Sequence, residues 1–173
     1  MQQRSYQPNY QPSKKILERY ADVLVNFALG KGAGIKKGDV VQVVAHESAK
    51  PFFAEILNAI TKAGGHSITR YLPDNDRMFN IEKDFYLNAR DHQIKFFPSK
   101  YYRGLLEEMD HSIFIEGQAD TKSLQGVDPK KIMAQRQAMR PYRNWRDEKE
   151  SRGAFSWTIA LYGTPAMARN GRY

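Results

Sequence analysis

Val40-Val41-Gln42-Val43-Val44-Ala45 constrains this chain more than any other stretch. Nearly every residue in it is β-branched, and no polar alternation interrupts it. A run of that kind suits a strand covered on both faces, the situation of a strand inside a parallel sheet. Gly34-Ile35-Lys36-Lys37-Gly38-Asp39 leads into it as a turn. A parallel sheet cannot be closed by hairpins, so the segments around this strand must supply crossover helices.

The flanking text supplies them. Ser13 is placed to cap a helix running to about residue 29, with Leu17, Ala21, Leu24, Val25 and Ala28 on one face and Gly30 at its left-handed stop. Pro51 suits the first turn of a second helix, lined by Phe53, Ile56, Leu57 and Ile60 and ended by Gly64-Gly65. Residues 66–72 read as a second strand, broken by Pro73-Asp74-Asn75-Asp76. Residues 79–90 read as helix through Ile81, Phe85 and Leu87, while Ile94-Lys95-Phe96-Phe97 fits either a short strand or a helix shoulder. Ser99 is placed to cap a helix to about Met109, and Ser112-Ile113-Phe114-Ile115 is a third strand closed by Glu116-Gly117. Asp128-Pro129 is a cap and first-turn proline for a long basic helix through about Glu150, bent or stepped near Pro141. Residues 155–162 form the last strand.

Strands alternating with helices give an α/β fold, a mostly parallel β-sheet of about four to five strands flanked by helices. Ligands of such sheets gather at the carboxyl ends of the strands. Here those ends are His46-Glu47-Ser48, Pro73-Asp74, Glu116-Gly117 and Gly163-Thr164. Residues 1–12 are polar and read as a flexible lead-in, and residues 13–173 as a single domain. A chain of 173 residues buries about 70% of its unfolded surface on folding, enough for a core without staples. It has no cysteine, which excludes disulfides, thiolate metal sites and a cysteine nucleophile, and fits a cytoplasmic setting. No secretory leader or spanning segment is expected, hence no membrane partner.

The search for chemistry returns fragments. Gly30-Lys31-Gly32-Ala33-Gly34 follows a helix and precedes a strand, the reverse of a phosphate-binding loop, so it reads as a helix stop. His46-Glu47 opens like a zinc-binding His-Glu-x-x-His helix, but Lys50 stands where the second histidine is required. His66, His92 and His111 are scattered singly and read as structural or surface residues. Asp74, Asp76, Glu82 and Asp84 form a loose acidic group better explained as a solvated loop than as a hard-cation site. Without a Gly-x-Ser-x-Gly elbow, no serine reads as a nucleophile. The net charge of +8 attracts polyanions, and Lys130, Lys131, Arg136, Arg140 and Arg143 on the basic helix, with Tyr142 and Trp145 interleaved, could track a nucleic-acid backbone. A charged outer helix face, with Met139 and Trp145 packing inward, explains the same residues and is the favoured reading.

Several stretches, taken in order, resemble the thermophilic metalloaminopeptidase family. They are Asn26-Phe27-Ala28-Leu29, Gly38-Asp39-Val40-Val41, Ala63-Gly64-Gly65, Asp120-Thr121-Lys122 with Leu124 and Val127-Asp128-Pro129, Arg136-Gln137-Ala138-Met139-Arg140-Pro141, and Phe155-Ser156-Trp157-Thr158 through Thr164-Pro165. The likeness covers about residues 16–168. It implies the N-terminal domain of a metal-dependent aminopeptidase that removes N-terminal amino acids from peptides. It also implies two divalent metal ions, such as zinc or cobalt, held in a second, C-terminal domain that this chain does not include, and a homodimeric parent. On that implication the chain carries no catalytic residue, no metal ligand and no cofactor of its own, and is inactive alone as an aminopeptidase. His46, Glu47 and Glu116 are then the candidates for lining the substrate cavity. The rival readings are a stand-alone α/β module that binds nucleic acid or another polyanion through the basic helix, and a truncated homologue kept as an interaction partner.

Overall fold

The β-branched run forms the inner strand β1, Val40–His46, and everything else is arranged around it. A computed structural model describes residues 11–75, 78–120 and 122–170, the side chains of 166, 169 and 170 excepted. Residues 1–10 of the lead-in, Asp76 of the acidic group and Thr121 lie outside the described residues. With β2 (His66–Leu72), β3 (His111–Glu116) and β4 (Ser156–Leu161), β1 makes a four-stranded sheet of order β2-β1-β3-β4. All three pairings are parallel. The α/β reading holds, at four strands.

Parallel pairing leaves two faces to cover, and the helices divide between them. α1 (Lys14–Val23) and α2 (Lys50–Lys62) lie on one face. There Leu17, Ala21, Leu24, Val25 and Leu29 meet Phe52, Ile56 and Ile60 over Val41, Val43, Ala45, Ile113 and Ile115 in one core cluster. Each fully buried aliphatic side chain in such a cluster contributes about 1.5–3 kcal/mol. The other face is smaller. Leu105, Leu106, Met109 and Phe155 form its buried centre, with Val40, Ile68, Tyr102, Tyr142 and Trp145 packed against them. These come from α5 (Ser99–Glu108), from α7 (Arg140–Ser151) and from the sheet.

Two local readings are corrected and two are sharpened. The first helix does not run unbroken to Leu29: after Val23 it widens into a π turn, Leu24–Ala28, closed by the Leu29 N–H donating to Leu24 O at 3.2 Å. In α2 the innermost aromatic is Phe52, not Phe53, which is only partly buried. In α3 (Ile81–Asn88) the residues read as its apolar face, Ile81, Phe85 and Leu87, are exposed, and Tyr86 is buried instead. Apolar spacing marks a face without saying that anything covers it. The stretch around Ile94 is helical, α4 (Asp91–Ile94).

The basic helix is stepped as expected, but the step is a break. α6 (Pro129–Ala138) ends at Met139 and α7 begins at once. Asp128 caps α6 as read, its Oδ1 accepting the Lys130 N–H at 2.9 Å. The last element, α8 (Pro165–Asn170), starts at Pro165, with Thr164 Oγ1 accepting the Met167 N–H at 3.2 Å. Among the described residues no helix is long and apolar enough to cross a membrane.

Candidate functional site

A strand order of β2-β1-β3-β4 sends the chain to opposite sides of β1, so the crevice where an α/β sheet accepts ligands falls between the carboxyl ends of β1 and β3. His46 closes β1 there, partly buried, its ring edge-on to Phe114 with centroids 6.0 Å apart. It lines a small cavity of about 30 Å³ together with Pro73, Asp74, Glu82, Gln118 and Ser123. That space suits one or two waters.

The loop after β1 is braced rather than loose. The Ser48 N–H donates to Asp74 Oδ2 at 2.8 Å, and the Asp74 N–H donates to Glu47 Oε2 at 3.3 Å. Tyr71 donates its hydroxyl to Glu47 O at 3.1 Å, and the Ser48 hydroxyl donates to Gly117 O, joining the ends of β1 and β3. Burial, and then the charges of Glu47 and Asp74, push the Tyr71 phenol up. Glu116 ends β3 on the same face of the sheet as His46, since Val43 pairs with Ile113 and each residue stands three further on. His46 and Glu116 therefore share a rim. Glu47 is exposed and holds Asp74, and it does not line the small cavity.

The opposite end of the sheet holds an arrangement that sequence reasoning missed. Asp39 stands just before β1, His111 opens β3 and Ser156 opens β4. Parallel pairing aligns these starts, with His111 beside both Val41 and Ser156. His111 Nε2 lies 3.0 Å from Asp39 Oδ2, and its Nδ1 lies 2.8 Å from Ser156 Oγ. A carboxylate only accepts, so in the neutral imidazole Nε2–H donates to Asp39 and Nδ1 accepts the Ser156 hydroxyl proton. Ser156 Oγ in turn accepts the Gly30 N–H at 3.0 Å. The three side chains border one cavity of about 290 Å³, shared with Lys31, Lys36 and Asp110. The one available signal was positional: Asp39, His111 and Ser156 each stand at a strand start, but only the strand order makes those starts neighbours.

Burial alone would raise the Asp39 carboxyl. The Lys36 N–H, which donates to Oδ2 at 2.6 Å, and then the hydrogen bond and charge of His111, outweigh it and hold the group below the ordinary aspartate value. A depressed folded-state pKa stabilises the fold above the unfolded value, and that stabilisation is lost as pH falls through the folded one. The contribution of Asp39 should therefore be complete above about pH 4 and disappear at more acid pH. Acid unfolding followed by circular dichroism should show a shallower slope for Asp39→Asn. An unchanged slope would mean that Asp39 carries none of it.

The model of the thermophilic metalloprotease (M29) family matches residues 13–171. The chain belongs to that family.

The M29 chain is similar in structure to wild-type AmpT from Thermus thermophilus, with a TM-score of 0.72 at 21% identity over 90% of this chain. At that identity the likeness concerns the fold. The match spans 38% of the AmpT chain. The A domain of a carboxylic acid reductase from Segniliparus rugosus matches at 13% identity over 88% of this chain and 22% of its own, with a TM-score of 0.38, too low to support an argument. No curated protein sequence matches the chain.

Metalloproteases need a donor set for their metal. Among the described residues of this M29 chain no group of three or more His, Asp or Glu side chains is arranged to hold one. His46 has Asp74 and Glu82 around the same small cavity, but Asp74 Oδ2 is taken by the Ser48 N–H. These side chains do not fit a bound metal.

The basic residues fall on two helices. Lys131 Nζ donates to Tyr86 O at 2.5 Å and Ala89 O at 3.2 Å, closing the carboxyl end of α3. Arg143 Nη2 donates to Arg136 O at 2.8 Å across the break between α6 and α7. Lys130, Arg136, Arg140 and Arg143 are exposed, the first two on α6 and the last two on α7. Trp145 packs inward as expected, and Arg103 lies 4.0 Å over its ring.

Proposed function

We propose that this chain forms the non-catalytic N-terminal domain of a cytoplasmic, homodimeric, metal-dependent aminopeptidase that removes N-terminal amino acids from peptides. Its role is to support and wall the substrate cavity, with His46, Glu47 and Glu116 at the carboxyl ends of β1 and β3 facing the peptide. The observation that carries the reading is the family match over residues 13–171, nearly the whole chain. The span of 38% of the AmpT chain supports a supplementary rather than a complete unit. In this proposal two divalent ions, such as zinc or cobalt, would be held by residues outside this chain, where they would polarise the scissile carbonyl and supply hydroxide. The contribution of this domain is shape and polarity at one wall.

Two measurements test it. The purified chain, supplied with zinc or cobalt, should release no p-nitroaniline from leucine p-nitroanilide. Release that disappears on adding chelator would show the chain to be an aminopeptidase by itself. In a longer M29 protein containing this segment, His46→Ala or Glu116→Ala should change the ratio of kcat/KM between two aminoacyl substrates by about tenfold, the size of a lost pocket contact. Unaltered ratios in both variants would remove these residues from the cavity wall.

A further inference from the structure

The geometry points to a reactive centre at the amino end of the sheet: Ser156, His111 and Asp39 form an acyl-transfer relay that cleaves small esters with a negatively charged acyl group. This stands apart from the aminopeptidase reading, because it needs neither a metal nor a further domain. Three features carry it. The first is connectivity. The Ser156 hydroxyl donates to His111 Nδ1 at 2.8 Å, and His111 Nε2–H donates to Asp39 Oδ2 at 3.0 Å. These distances are those of a nucleophile on its base and a base on its orienting carboxylate. The ring is turned over relative to the familiar serine protease arrangement, but either imidazole nitrogen can take the proton, and such a set is recognised by geometry and role.

The second feature is rigidity. The relay spans β1, β3 and β4, and the carboxylate is fixed by the Lys36 N–H at 2.6 Å. His111 is buried, and its side chain is only 11% exposed, so water competes little for its hydrogen bonds. The third is access. Ser156, His111 and Asp39 all border the cavity of about 290 Å³, close to the lower end of the usual size of small-molecule sites. Lys31 and Lys36 border it too, and neither forms an ion pair among the described residues. Asp110 is the other carboxylate on the wall, and its Oδ2 accepts the Val40 N–H at 2.8 Å. The Lys31 ammonium lies beside Gly153 on the same wall and suits a substrate carboxylate, while the Lys36 charge acts on Asp39.

In the reaction, Ser156 Oγ attacks the ester carbonyl carbon while its proton passes to His111 Nδ1, and the carbonyl π pair moves onto oxygen. Collapse breaks the bond to the alcohol oxygen, which leaves with the proton from Nδ1. Water then attacks the acyl-serine, giving its proton to Nδ1. The acid departs and Ser156 Oγ recovers its proton. Asp39 stays ionised throughout and holds the imidazole in the required tautomer, so it is a positioning residue.

The test uses the purified chain with excess chelator, mixed with mono-p-nitrophenyl succinate or with p-nitrophenyl acetate. The expected result is a burst of about one p-nitrophenolate per chain, because with so good a leaving group the hydrolysis of the acyl-serine is the slower step and the intermediate accumulates. The burst should be faster with the succinate, and the acyl mass should be found on the peptide containing Ser156. Ser156→Ala should abolish burst and adduct while keeping the far-ultraviolet circular dichroism of the wild type. Asp39→Asn should slow acylation about 10²–10⁴-fold at unchanged burst stoichiometry. A purely structural Asp39 would leave the acylation rate of the folded protein unaltered. The proposal is overturned by the absence of a burst, by a burst that survives Ser156→Ala, by an adduct on Lys31, Lys36 or His111, or by an Asp39→Asn rate equal to that of the wild type.

Discussion

Replacing Phe52 by alanine should destabilise the chain by about 3–5 kcal/mol, the usual range for a large aromatic removed from a core. Phe52 is fully buried, between α2 and the sheet. Its ring stacks on Tyr20 of α1, with centroids 4.7 Å apart, and on Tyr162 after β4, at 6.4 Å. One side chain thus joins α1, α2 and the far end of the sheet. Truncation would leave a cavity in the core cluster that also holds Ile56, Ile60 and Val43, all fully buried. A domain of this kind has only about 5–15 kcal/mol in total, so the variant should be partly unfolded at physiological temperature. Urea denaturation is the measurement, with a lowered midpoint and an unchanged slope as the expected outcome. Phe53→Ala is the control. Phe53 is partly buried against Tyr71, at 5.5 Å, and its loss should cost clearly less. Equal losses at the two positions would contradict the assignment of Phe52 as the inner residue.

Gly34→Ala should be the second severe change. Gly34 has φ +74°, in the left-handed region, where a side chain costs about 1–2 kcal/mol on its own. The added Cβ would also lie 2.5 Å from Asn26 O and 2.6 Å from Asn26 C, both backbone atoms that cannot rotate away. Relief requires moving the π turn or the loop. The loop is tied on both sides, because the Gly34 N–H donates to Leu29 O at 3.0 Å and the Ile35 N–H to Val25 O at 3.0 Å. Gly32 separates the two causes. It has φ +94°, but a Cβ there meets nothing within 4 Å. Gly32→Ala should therefore show only the backbone cost, and thermal unfolding should place it well above Gly34→Ala. If both variants melt together, the clash at Asn26 is not the determining factor. Because Gly30 on the same loop donates to Ser156 Oγ, Gly34→Ala should also perturb the amino-end cavity.

The sequence is read well where a few adjacent residues decide the outcome. Val40 to Ala45 suited a covered strand and forms one, and Pro51 with Gly64-Gly65 framed the helix between β1 and β2. Asp128 and Pro129 started α6 where expected. Reading fails where a residue's partner lies far along the chain. Ile81, Phe85 and Leu87 recur at helical spacing, yet the described neighbours of α3 leave them exposed and bury Tyr86. Phe52 and Phe53 are adjacent, and periodicity does not say which of them points inward. The carboxyl-end residues His46 and Glu116 were legible because a strand end is a local feature. The brace from Glu47 through Asp74 to Ser48 was not, since it joins two loops across 26 and 27 residues.

The sequence by itself determined the α/β class, the places of four strands (with a fifth left open at Ile94 to Phe97) and the M29 character of the text, all of which rest on local backbone preference and local order. Only the tertiary structure decided the strand order, and with it the meeting of Asp39, His111 and Ser156 across separations of 72 and 45 residues. The physical reason is that β-branching and turn residues act over a few bonds. Which strand lies beside which is set instead by how the helices close over both faces, a property of the packed chain as a whole.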